Sequence, residues 1–298
     1  MPSGRMVDVS VRDELRRLRY SAARASQQEA PVTRVVTWND LLKPGHASAF
    51  FSRDPMPPFE IAATSYSAAN AWWLAELSRL VYRRDPSGPR SRRDFLQQAG
   101  FEEISFFGSE VTGTGALLAM NRSPAPFAVL VFRGTEQKIQ DFLHDADTWP
   151  VPAFGGSVLV HRGFKRALNS VWTQIAAALD KLDCPVFYTG HSLGAALATL
   201  AAVRRAPQAV YAYGSPRVGD SRFVAKLRGV QVYRVVHGDD IVASVPIESF
   251  GFRHAGVEHR IGTRSRLTDF NVATVWDQLL APPRALADHA PINYVDGL

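Results

Sequence analysis

Ser192 lies in Thr189-Gly190-His191-Ser192-Leu193-Gly194, with a glycine two residues to either side. The apolar run Pro185-Val186-Phe187-Tyr188 precedes it and an alanine- and leucine-rich stretch over 195–205 follows. The first reads as a buried strand and the second as a helix. A serine on a sharp strand-to-helix turn exposes its hydroxyl above a sheet, and glycines at those two offsets leave room for close backbone packing. The chemistry such a serine offers is nucleophilic attack. Its hydroxyl is protonated at neutral pH, so a base must remove the proton and a carboxylate must orient that base. In a strand-turn-helix arrangement of this kind the acid and base follow the serine in the chain. The histidines that qualify are His237, His254, His259 and His289. Asp240 and its neighbour Asp239 are the nearest acids to a strand end. Asp220 and Asp183 suit turns or helix caps, and Asp288 is next to His289 and poorly placed to turn back to it. The backbone N–H of Leu193, directly after the serine, would face the negative oxygen that forms during attack.

These residues need a scaffold, and the hydrophobic pattern supplies one. Trp73, Leu74, Leu77, Leu80 and Val81 recur at helical spacing, which predicts a helix over 68–83 stopped by Asp85-Pro86. A short helical turn is expected at 94–98, before Gly100, and strands over 101–107, 116–120 and 127–132. Phe164, Leu168, Val171, Trp172, Ile175 and Leu179 mark a long helix. After the serine turn come a strand at 209–213, a short helix at 222–227, a strand at 230–236 and a helix at 274–280. His254 and His259 are placed in a structural hairpin. Strands alternating with helices from residue 127 onward imply right-handed crossovers and a mostly parallel central sheet with helices on both faces. Ile139, Phe142, Leu143 and Ala146 fall at i, i+3, i+4 and i+7, which predicts a short amphipathic helix over 138–146.

Gly190-His191-Ser192-Leu193-Gly194-Ala195-Ala196-Leu197-Ala198 resembles the serine motif of the class 3, fungal-type lipases. Further segments agree in order: Val129-Leu130-Val131-Phe132-Arg133-Gly134-Thr135, Val160-His161-Arg162-Gly163-Phe164, Gly214-Ser215-Pro216-Arg217-Val218-Gly219, 240–246 and 250–256. The resemblance covers roughly residues 60–298. It implies the α/β-hydrolase fold, with the acid at Asp240 before Ile241-Val242 and the base at His289 in a loop near the C-terminus. It also implies Thr135 as a hydroxyl-bearing oxyanion residue beside Leu193, and a lid at 138–146 carrying Ile139, Phe142 and Leu143. The chain departs from the family at Phe142, where tryptophan is commoner, and at Ala195, where a second glycine is usual. Neither change removes a reacting group. The activity implied is hydrolysis of carboxylic esters, foremost acylglycerols at a lipid–water interface, through an acyl-enzyme on Ser192 with no metal or organic cofactor. A short-chain carboxylesterase or an A1-type phospholipase are the alternatives within that chemistry. A catalytically silent binding protein is the alternative outside it, and the joint presence of Ser192, Asp240, His289 and Thr135 speaks against that reading.

Composition is compatible with this. The 298 residues are 46% hydrophobic and 21% charged, enough apolar material for a large α/β core and too much for a disordered chain. The net charge is +6, with the basic residues densest in the N-terminal third, and without zinc-ligand spacing or an aromatic RNA motif. A solvated basic face is expected, not a nucleic-acid partner. Cys184 is the only cysteine, which rules out an intrachain disulfide. No stretch has the apolar length of a transmembrane segment, and the first 30 residues lack a hydrophobic signal core. The default expectation is a cytoplasmic protein, with secretion open because family members are often secreted. Residues 1–58, with a possible basic helix at 11–23, are expected as an extension packed on a main domain of 59–298, because Trp38, Leu41, Leu42, Phe50 and Phe51 are too many apolar groups for a free tail.

Overall fold

Strand β3 (Phe127–Phe132) has every side chain buried, which requires cover on both of its faces. Its residues alternate accordingly. Phe127, Val129 and Val131 join one apolar cluster, whereas Ala128, Leu130 and Phe132 join another on the opposite side. The computed structural model describes residues 36–84, 89–122, 124–134, 149–262 and 282–298, all within one compact unit that runs from Val36 to Leu298.

Around β3 the described residues build a seven-stranded sheet in the order β1-β2-β3-β6-β7-β8-β9. Strands β1 (Phe101–Ser109) and β2 (Thr114–Asn121) form an antiparallel pair at one edge, and β2 runs antiparallel to β3. From β3 onward the neighbours are parallel: β6 (Val186–His191), β7 (Ala209–Tyr213), β8 (Val232–His237) and β9 (Val257–Ile261). The result is the α/β-hydrolase plan, with helices on both faces of a mostly parallel sheet.

One face carries α2 (Ala68–Leu80) and the C-terminal α8 (Pro291–Asp296), whose Trp72, Leu77, Ile292 and Tyr294 share a cluster with the odd-numbered β3 side chains. Ser67 caps α2 by accepting the N–H of Asn70 at 3.1 Å. The other face carries α4 (Arg162–Leu179) and α5 (Leu193–Arg204). Helix α4 is amphipathic, burying Phe164, Leu168, Val171, Ile175 and Leu179, and each such side chain contributes about 1.5–3 kcal/mol. Helix α5 is buried almost all round, and its alanines let it sit close between sheet and α4. Smaller helices are α1 (Trp38–Leu42), α3 (Arg92–Gln98), α6 (Ser221–Lys226) and α7 (Arg284–Ala287). Ser91 and Asp94 form a capping box at the start of α3, and Asp220 caps α6 through the N–H of Phe223.

Residues 36–58 are woven into the core. Val36, Leu41, Phe50 and Phe51 lie in the cluster of α2, and the N–H of Phe51 is bound by the buried Glu76 carboxylate at 2.9 Å. Two local readings change. His259 stands on β9, an edge strand that pairs in parallel with β8, not in a hairpin; its ring stacks on Tyr66 at 3.7 Å. A hairpin does exist elsewhere, between β4 (Pro150–Ala153) and β5 (Val158–His161), where Pro150 and Pro152 weaken the strand signal in the sequence. The expected helices at 11–23, 138–146 and 274–280 fall outside the described residues.

Candidate active site

Ser192 stands between β6 and α5 with φ 59° and ψ −127°, a backbone state that non-glycine residues seldom adopt and that costs on the order of 1–3 kcal/mol. The two flanking glycines make it possible. A Cβ on Gly190 would lie 2.4 Å from the carbonyl carbon of Gly194, and one on Gly194 would lie 2.1 Å from the carbonyl oxygen of Phe132. The turn therefore closes against its own next residues and against β3. The N–H of Ser192 donates to Tyr213 O at 2.9 Å, which ties the turn to the end of β7. Its carbonyl accepts the N–H groups of Ala195 and Ala196, and its side chain makes no capping bond. Leu193 opens α5, where backbone N–H groups lack intrahelical acceptors.

Asp240 follows β8 through the turn 238–240, its N–H donating to His237 O at 3.0 Å. His289 lies between α7 and α8. The two side chains meet: His289 Nδ1 is 2.8 Å from Asp240 Oδ2, and neither side chain has exposed surface. Burial alone would raise the Asp240 pKa, but the His289 charge and the hydrogen bonds from His289 and Tyr294 outweigh it and hold the carboxyl below its usual value. With Asp240 ionised, Nδ1–H of His289 is the donor, and Nε2 carries the lone pair. That Nε2 is buried and has no hydrogen-bond partner among the described atoms. Such an imidazole is oriented by its carboxylate and has an open acceptor nitrogen.

The same carboxylate is held at two further points. Asp240 Oδ1 accepts the N–H of Val242 at 2.8 Å, and Oδ2 accepts the hydroxyl of the fully buried Tyr294. Gly214, directly after Tyr213, has φ +54°; a Cβ there would sit 2.6 Å from Asp240 Oδ2 and 2.9 Å from His289 Nδ1. The Tyr213–Gly214 end of β7 thus seats both the serine turn and the histidine–aspartate pair. Below this, His191 is kept neutral by burial and by its nearness to His289. Its Nε2–H donates to the carbonyl of His289 at 2.7 Å, so its Nδ1 accepts from the Tyr82 hydroxyl at 3.3 Å.

Ser192, Leu193, Asp240 and His289 gather at the C-terminal ends of β6, β7 and β8. Thr135, Ile139, Phe142 and Leu143 lie outside the described residues. His254 donates from Nε2 to Ala243 O at 2.8 Å, a backbone acceptor where His289 has the Asp240 carboxylate. Tyr294 and Tyr82 carry no signal in the sequence, and Gly214 and His191 stand there only as members of motifs, without the contacts to Asp240 and His289 that the structure gives them. Tyr294 is one tyrosine on a short apolar helix, and nothing local to it points to an aspartate 54 residues away. Among the described residues no group of three or more His, Cys, Asp or Glu side chains could hold a metal ion. Two open cavities, about 240 and 710 Å³, are lined by residues other than Ser192, Asp240 and His289.

Residues 129–250 match the family model described as lipase (class 3). A secreted mono- and diacylglycerol lipase 1 from Fusarium solani is 37% identical over 179 residues, 55% of this chain and 52% of that protein. A lipase from Rhizomucor miehei is 32% identical over 225 residues, 68% of this chain and 61% of that protein. The chain thus spans little more than half the length of these curated relatives. Among solved structures, a triacylglycerol lipase described as having a serine protease triad at its catalytic centre superposes with TM-score 0.59 at 26% identity, covering 76% of this chain and 94% of that one. The Rhizomucor miehei lipase propeptide complex gives TM-score 0.58 at 25% identity, covering 80% and 84%.

Proposed function

We propose that this chain, which belongs to the class 3 lipase family, hydrolyses carboxylic esters, with acylglycerols as substrates, through an acyl-enzyme on Ser192. The observation that carries the reading is the buried His289–Asp240 pair with its open Nε2, seated on the same strand end as the serine turn.

The steps follow from that geometry. As the Ser192 oxygen bonds to the ester carbonyl carbon, its proton passes to His289 Nε2 and the carbonyl electrons move onto oxygen. Asp240 stays ionised and stabilises the imidazolium, already bonded to its Nδ1–H. The oxyanion is received by the N–H of Leu193 and by Thr135, and losing one such donor typically costs about 10²–10³ in rate. Collapse breaks the bond to the alkoxy group, which leaves as the alcohol with the proton from Nε2. Water then attacks the acyl-enzyme with His289 again as base, releasing the fatty acid and restoring Ser192. No residue in this sequence of steps requires a cofactor.

The substrate class is supported by the relatives' names and by the apolar stripe Ile139, Phe142 and Leu143, read as a lid that a lipid surface would rebury. Two or three such side chains, at about 1.5–3 kcal/mol each when fully buried, suffice to shift a two-state segment. Relatives named as secreted favour a secreted over a cytoplasmic setting. No helix among the described residues is long and apolar enough to cross a membrane. The test has two arms. A fluorophosphonate should label Ser192, and activity on an emulsified long-chain acylglycerol should rise as the ester passes its solubility limit. Phe142→Ser should weaken that rise more than it weakens hydrolysis of a soluble short-chain ester. No labelling would reject the hydrolase; equal losses on both esters would reject the lid and favour a short-chain esterase.

A further inference from the structure

We propose that Asp288 and His237 form a second, crossed histidine–aspartate contact that positions His289 against Asp240. The proposal rests on the hydrolase reading above. One segment supplies positions 237 and 240, the other positions 288 and 289, and the residue types are exchanged between them. His237, the last residue of β8, has Nδ1 3.3 Å from Asp288 Oδ1, at ion-pair distance without hydrogen-bond alignment. Asp240 faces His289 on the other side of the same turn. The second Asp288 oxygen, Oδ2, accepts the backbone N–H of Asp239 at 2.8 Å, so the carboxylate is set into the turn that carries Asp240. The fit is close: a Cβ on Gly238, whose φ is +46°, would lie 2.5 Å from Asp288 Oδ2. His237 and Asp288 side chains keep only 18% and 11% of their surface.

The His289 segment needs such a contact. Helices α7 and α8, on either side of it, have four and six residues, too few to hold a position by their own backbone bonds. The His191 bond to the His289 carbonyl and the Ile241 N–H on Ala285 O hold the backbone of the segment, and the Asp240 bond holds the ring. Asp288, adjacent to His289, adds a side-chain attachment to the turn that carries Asp240 and limits rotation of the segment there. Catalysis is sensitive to this, since a displacement of about 1 Å in a reacting group can cost about a hundredfold in rate. Asp288 and His237 touch no reacting atom, so they are positioning residues.

The experiment uses the full chain and three readouts: the rate of fluorophosphonate labelling, kcat and KM on a soluble ester, and Tm. Asp288→Ala is expected to slow labelling and kcat about tenfold while KM stays within about twofold, because orientation of the base and not substrate binding is lost. Asp288→Asn, which retains an acceptor for the Asp239 N–H, should recover part of the rate. His237→Gln should slow labelling by about threefold, and the double variant should be no slower than Asp288→Ala alone, as expected for two residues acting through one contact. Wild-type labelling by folded Asp288→Ala overturns the proposal, as does a lower Tm with kcat unchanged, or additive losses in the double variant. Should Asp288→Ala not fold, His237→Gln and Asp288→Asn decide, and wild-type labelling by both overturns it. Absence of labelling in the wild-type protein would sink the hydrolase reading instead.

Discussion

The serine turn and the histidine segment meet in one site, yet they are held in different ways. The turn is shaped within five residues, 190–194, by backbone atoms packed so tightly that a single added carbon at Gly190 or Gly194 collides with main chain. The segment around His289 has no such local constraint. It is fixed by side chains reaching across 49–98 residues: Asp240 to Nδ1, His191 to the carbonyl oxygen, and Tyr294 back to Asp240. A local device can be written as a motif. A distributed one depends on several separate parts of the fold arriving together, and the contacts that support the Asp240–His289 pair are individually replaceable at moderate cost.

The largest effect expected from that contrast is at the turn. Ser192→Ala should lower kcat by at least about 10⁴-fold with Tm unchanged, because the hydroxyl makes no capping bond and contributes little to packing. Gly194→Ala should instead prevent folding or lower Tm sharply, since its Cβ has no space beside Phe132 O. Retention of more than about a hundredth of the rate in Ser192→Ala would remove the serine from its role.

Next in size is the carboxylate. Asp240→Asn should cost about 10⁴-fold in kcat, because an amide can leave His289 in the wrong tautomer. Asp239→Asn, which keeps the backbone N–H that meets Asp288, should cost less than about tenfold. A reversed ranking in a steady-state assay would move the acid to Asp239.

Tyr294→Phe probes the distributed side of the comparison. Losing one bond to a buried carboxylate should lower stability by about 1.5–3 kcal/mol and kcat by roughly tenfold, with KM little changed. Urea denaturation and kinetics on a soluble ester measure both. A variant as stable and active as the parent would show that the other contacts of Asp240 suffice without it.

The smallest effect concerns pH. His254, partly buried and facing Arg234 and Arg217, has its pKa pushed down to about 3 by desolvation and by those charges. Its ordinary value lies near 6.5, so the unfolded chain takes up its proton first as pH falls. The stabilisation of the neutral folded form is therefore complete above about pH 6.5 and declines as pH drops toward about 3. Asp240, with its pKa held down, adds a loss only at lower pH, below its ordinary value of about 3.9. His254→Gln should flatten the stability curve between about pH 6 and 4. An unchanged slope in chemical denaturation would place the titration elsewhere.

What the amino-acid sequence determined by itself follows the local half of the comparison. The strand-serine-helix turn, the amphipathic α4, the wholly apolar β3 and the parallel succession of strands are each written in residues close in the chain, where period and glycine spacing carry the signal. Asp240 and His289 were legible because they sit in segments that resemble those of a known family; the spacing of eight histidines alone does not choose among them. Only the tertiary structure decided the rest. It placed His259 on an edge strand, turned Asp288 away from its neighbour toward His237, and brought Tyr294 onto Asp240 and Gly214 beneath the pair. Those contacts join residues 24–75 positions apart, or adjacent residues facing opposite ways, and no periodicity reports them. They exist because the parallel sheet sets the ends of β6, β7 and β8 side by side, and the close packing there admits one arrangement of the side chains above it.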